Sequence, residues 1–65
     1  MEILINGKRE ACTSWTIAEL VAKKNIATDT LVVELNGSII RQEQWPVVML
    51  KDDDMLELLN FVGGG

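Results

Sequence analysis

Short apolar runs, separated by Asn-Gly and Asp-rich turns, mark most of this chain, and one segment among them changes to helical spacing. Glu2-Ile3-Leu4-Ile5-Asn6 is apolar and β-branched, which predicts a strand. Asn6-Gly7 supplies the positive φ angles of a type I′ hairpin turn, and Lys8 to Cys12 reads as the returning strand, polar enough for a sheet edge. Thr16-Ile17-Ala18-Glu19 matches a capping box, with Trp15 and Leu20 spaced for a hydrophobic staple. Ile17, Leu20 and Val21 then share one helical face. Lys23 and Lys24 suit the negative end of the helix dipole, and Asn25 suits a left-handed cap. A helix of about two to three turns is too short to stand alone, so it needs a sheet to pack on.

Beyond it, Thr28-Asp29-Thr30 reads as a turn and Leu31 to Leu35 as a strand. Asn36-Gly37 repeats the hairpin signal, and Ser38-Ile39-Ile40 is a short strand. Arg41 to Trp45 predicts a single helical turn stopped by Pro46. Val47 to Leu50 is apolar but irregular, and Lys51 to Asp54 is a turn. Met55 to Leu59 is the last strand, continued by Asn60-Phe61-Val62 and ended by Gly63-Gly64-Gly65. Two hairpins with one helix between them predict an α+β fold of β-grasp layout: a mixed sheet of four to five strands, one helix across one face, and the last strand central beside the first. With no repeat or linker, residues 1–65 read as a single domain with a tail at 63–65.

Composition narrows the function classes. A chain of 65 residues has a thin core and little room for a deep pocket. The absence of histidine removes the commonest general base and metal ligand, and no Ser or Cys triad can be assembled. The expectation is a protein that is not itself an enzyme and binds no cofactor or metal. Net charge of −4 disfavours nucleic acid and favours partners with a basic docking face. No apolar run approaches a membrane span. The single cysteine, Cys12, cannot form an internal disulfide, and Met1 leads into a strand without a basic or apolar leader, so a cytoplasmic location is expected.

The tail carries the candidate chemistry. Glycine lacks a Cβ, so Gly63-Gly64-Gly65 predicts a thin, unhindered end that a partner enzyme could thread through a narrow channel. The terminal carboxylate is ionised at pH 7 and is therefore a poor electrophile. Conversion to an acyl-adenylate supplies a good leaving group, AMP, and a sulfur nucleophile then yields a thiocarboxylate. The competing reading is a frayed end, as is common at termini.

Five stretches together resemble the thiamine-pathway sulfur carriers, the ThiS family of ubiquitin-like β-grasp proteins. They are Ile3-Leu4-Ile5-Asn6-Gly7, Thr16 to Val21, Leu35 to Ile40, Gln44-Trp45, and Asp54 to Gly65. The last is the most specific. The resemblance implies that a ubiquitin-activating-like adenylyltransferase uses ATP to adenylate Gly65. Sulfur from a cysteine desulfurase then replaces AMP, and thiazole synthase receives it for the thiazole ring. By position, Gly65 is the attachment residue, Gly64 and Gly63 are needed for activation, and Val62, Phe61 and Leu59 contact partners. Arg9 to Trp15 lacks the glycine often found before the helix in this family, so that turn is expected to differ.

Other residues read as structural. Cys12 is expected to act as a small buried hydrophobe rather than a persulfide acceptor, Asp52-Asp53-Asp54 as a solvated turn rather than a cation site, and Trp15 and Trp45 as packing residues. In the last strand, Leu56 and Leu58 should face the core, while Met55, Glu57 and Leu59 face outward beside the tail, with Phe61 continuing the row. This apolar row is either a docking patch or the finish of the core. The rival functions are the small sulfur-carrier subunit of molybdopterin synthase, a ubiquitin-like interaction module with an idle tail, and a lysine-conjugated modifier.

Overall fold

The computed structural model describes residues 1–60. Its elements are β1 (Glu2–Ile5), β2 (Lys8–Ala11), α1 (Ile17–Lys24), β3 (Leu31–Leu35), β4 (Ser38–Ile40), a 3-10 turn (Gln42–Gln44) and β5 (Met55–Asn60). The sheet order is β2-β1-β5-β3-β4, with β1 and β5 parallel and the other pairs antiparallel. The last strand therefore lies centrally beside the first, in the predicted mixed β-grasp sheet.

Both Asn-Gly pairs form the turns they predict. Asn6 and Gly7 have φ of 52° and 83°, and Asn36 and Gly37 have φ of 51° and 89°. Nothing lies within 4 Å of where a Cβ would sit on either glycine, so backbone angle rather than crowding calls for glycine there.

The helix caps follow the sequence with one displacement. Thr16 Oγ1 accepts from the Glu19 N–H at 3.1 Å. The Glu19 carboxylate returns not to the cap residue but to the Trp15 N–H before it, at 2.7 Å. Two more first-turn donors, which an α-helix leaves unpaired, reach the irregular segment: Ile17 N–H to Val48 O at 3.3 Å and Ala18 N–H to Trp45 O at 3.1 Å. Asn25 closes the helix in the left-handed region, φ 57°, donating to Ala22 O. Ile17, Leu20 and Val21 pack on Ile3, Ile5, Val33 and Leu56 to form the core, joined by Cys12, Leu31, Trp45 and Leu50.

Two expectations are corrected. Trp15 is 66% exposed and staples nothing. Its N–H serves Glu19 and its carbonyl accepts from the Leu50 N–H, while Thr16 bridges Met49. Burial alternates from Cys12 to Trp15, with buried Ser14 on the inward side and Trp15 turned to solvent. Trp45, by contrast, is buried, with Nε1–H donating to Ile40 O at 3.0 Å. The second correction concerns the aspartates. Asp52 and Asp53 are exposed: Asp52 accepts from the Glu2 N–H, and Asp53 pairs with Arg9 at 3.2 Å, a contact that raises the guanidinium pKa further. Asp54 is buried instead, accepting from Asn36 Nδ2 at 3.0 Å and the Lys51 N–H at 2.8 Å. It is a structural clasp rather than part of a solvated turn.

Candidate functional site

The C-terminal segment leaves the described structure from β5, the central strand of the sheet. This strand pairs with β1 on one side and runs the full register from Leu31↔Asn60 to Leu35↔Leu56 against β3 on the other. Side-chain amides add to the backbone ladder. At its start, Asn36 donates its N–H to Met55 O at 2.8 Å and accepts the Met55 N–H on Oδ1 at 2.9 Å. Near its end, Asn6 Oδ1 accepts from the Leu58 N–H at 2.8 Å. Asn60 Nδ2 donates to Ala27 O at 3.1 Å, and Asn60 Oδ1 accepts from the Thr30 hydroxyl.

Alternation along β5 places Leu56 in the core and Leu58 half-buried against it, with Met55, Glu57 and Leu59 exposed, as the sequence predicts. Leu59 is 37% exposed and pairs across the sheet with half-buried Val32. Ile39 on β4 and Met55 widen this helix-free face, and Glu34 sits directly opposite Glu57 in its middle. Like charges facing each other across strands oppose pairing. An apolar surface carrying two carboxylates therefore suits a partner with apolar and basic groups. Of the sequence-predicted site residues, Leu59 lies on this face, whereas Phe61, Val62, Gly63, Gly64 and Gly65 lie outside the described residues.

Elsewhere among the described residues, no group of three or more acids or cysteines is placed to hold a metal ion. An open groove of about 510 Å3 between α1 and the 3-10 turn is lined by Ala18, Val21, Trp45 and other residues, none of them an acid or base. Cys12 is buried, its thiol directed at Ser14 O at 3.6 Å, consistent with a packing role. The residues that sequence reasoning missed are Asn6, Asn36 and Asn60, the asparagines whose amides hold β5. Two of them stand in the Asn-Gly signals, where the demand for positive φ accounts for their presence and conceals the second use of the amide.

The model of the ThiS family matches residues 3–65, which takes in β5 and the whole glycine tail. The chain belongs to the ThiS family. It is 40% identical over 50 residues to the sulfur carrier protein ThiS of Bacillus subtilis (strain 168), covering 77% of this chain and 76% of that protein. The crystal structure of the thiamine biosynthesis protein ThiS from Geobacter metallireducens superposes with a TM-score of 0.84 at 32% identity, covering 100% of both chains. The chain also matches a thiazole synthase of Paramagnetospirillum magneticum (strain ATCC 700264 / AMB-1) at 32% identity, spanning 100% of this chain but only 20% of that protein. The ubiquitin-like β-grasp of the ThiS family is thus this chain's fold.

Proposed function

We propose that this chain is a sulfur carrier of thiamine biosynthesis whose reacting group is the Gly65 carboxylate. The observation that carries the reading is the family match running through Gly63-Gly64-Gly65 on a chain whose preceding strand is the firmly held centre of the sheet. The carrier supplies no catalytic side chain. A ubiquitin-activating-like adenylyltransferase brings ATP; a Gly65 carboxylate oxygen attacks the α-phosphorus and pyrophosphate leaves. A persulfide sulfur derived from a cysteine desulfurase then attacks the acyl carbon and expels AMP, and a thiol cleaves the resulting acyl disulfide by forming a disulfide with the donor's cysteine sulfur, leaving a C-terminal thiocarboxylate. Gly64 and Gly63 give the slim approach that the adenylation channel needs. Leu59, Phe61 and Val62 are the docking residues beside it. Thiazole synthase is the recipient, a reading supported by the thiazole synthase one-fifth of whose length aligns with this chain.

The test is the intact mass after incubation with ATP, the host's activating enzyme and a sulfur donor. A gain of about 16 Da, oxygen replaced by sulfur, lost on deletion of Gly65, is the expected outcome. An AMP adduct that never gains sulfur would indicate conjugation instead. No mass change with demonstrably active enzyme would leave a binding module with an idle tail. Capture of the molybdopterin synthase large subunit in place of thiazole synthase would move the carrier to the other pathway.

A further inference from the structure

The geometry points to Asn6 as a positioning residue that fixes the root of the C-terminal segment for activation, an inference that rests on Gly65 being the reacting group. β1 ends at Ile5, but β5 continues to Asn60. The parallel ladder between them runs from Leu4 N–H to Asp54 O at 2.9 Å and from Asn6 N–H to Leu56 O at 2.9 Å. The next rung calls for a carbonyl to accept the Leu58 N–H. At that point, however, the first chain turns away at Asn6 and Gly7, with φ of 52° and 83°, to begin β2. The Asn6 side chain supplies the rung instead. Its Oδ1 accepts from the Leu58 N–H at 2.8 Å, and its Nδ2 donates to Leu58 O at 3.4 Å.

A carboxamide offers the same donor and acceptor pair as a peptide group, so Asn6 lengthens β1 by one rung without lengthening its backbone. Asparagine meets both demands of the position: it tolerates the left-handed region and presents both polar atoms. From the other side, Asn60 is tied through its own amide to Ala27 and Thr30. The last described residues are thereby held on both flanks, and only residues 61–65 separate this root from the terminal carboxylate. A partner that grips those residues has less chain to order when the root is already fixed.

Asn36 provides the control. It occupies the equivalent position in the second Asn-Gly turn, φ 51°, and clasps Met55 at the opposite end of β5. The experiment compares the full chain with Asn6→Gly and Asn36→Gly, both of which keep the positive φ. It reads amide hydrogen exchange together with steady-state adenylation by the host's activating enzyme. Asn6→Gly is expected to speed exchange at Leu58 about tenfold or more. It should raise KM for the carrier about fivefold with kcat within about twofold, the signature of lost binding rather than lost chemistry. Asn36→Gly should speed exchange at Met55 and lower Tm, with KM and kcat both within about twofold. Asn6→Asp keeps the acceptor for the Leu58 N–H but sets a carboxylate against the Leu58 carbonyl, so its KM should rise as well.

An unchanged KM in Asn6→Gly would overturn the inference. So would an equal rise in both glycine variants, which would mark general loosening of the sheet. Failure of the wild-type chain to be adenylated would instead refute the activation chemistry, and with it the functional role of the clasp. Exchange at Leu58 would still decide whether the clasp itself holds the strand.

Discussion

At Asp54, a carboxylate that is 6% exposed gathers three segments: its side chain accepts from Asn36 and from the Lys51 N–H, and its backbone carbonyl accepts from Leu4. Removing the carboxylate leaves Asn36 Nδ2 without this acceptor in a half-closed site. Asp54→Ala is expected to destabilise the fold by about 2 kcal/mol, a typical cost of losing hydrogen bonds to a charged acceptor, read as a lower urea midpoint with unchanged slope. The two tryptophans divide on the same principle. Trp45 buries its ring because Ile40 O satisfies the indole N–H, whereas Trp15 is turned outward by the backbone bonds on either side of it. Neither outcome is visible in the residue type alone.

Among the elements, α1 shows how a helix too short for independent stability is held. Its eight residues bury only Ile17, Leu20 and Val21, and its first turn is served by Thr16 and by the carbonyls of Trp45 and Val48. Thr16→Ala should therefore cost about 1 kcal/mol, the ordinary value for a lost cap, because the other two donors keep their partners. Thermal melting would measure it, and a loss several times larger would mean that the cap also fixes the Trp45–Leu50 segment. The strands were legible almost to their ends because each apolar run is closed by a turn with its own chemistry. The partner of the helix N-terminus was not legible, since nothing in the irregular Val47 to Leu50 run distinguishes a bridging segment from a loose loop.

For the molecule as a whole, one helix covers one face of a five-stranded sheet, leaving the other face with Met55, Leu59 and Ile39 exposed around Glu34 and Glu57. Among the described residues the core does not include Leu59, so charge placed there should act on partners and not on folding. Leu59→Lys is expected to weaken binding to the activating enzyme at least about tenfold, with a stability change within about 1 kcal/mol, the scale of a cross-strand pair. Titration calorimetry alongside urea unfolding separates the two effects. Loss of the fold would return Leu59 to the core and remove the docking face.

The local signals of this sequence fixed what depends on neighbours in the chain. Asn-Gly pairs demand positive φ, the Thr16 and Glu19 spacing sets the helix start, and period-two alternation orients β5. Tertiary structure decided what depends on residues brought together from far along the chain. Asp54 is buried because Asn36 and the turn of its own backbone meet it there, and Trp15 is exposed because Leu50 pairs with it. Asn6 serves a strand 52 positions away. A side chain's local preference is written in its own chemistry, but the partner that satisfies its polar atoms is supplied only when the sheet closes.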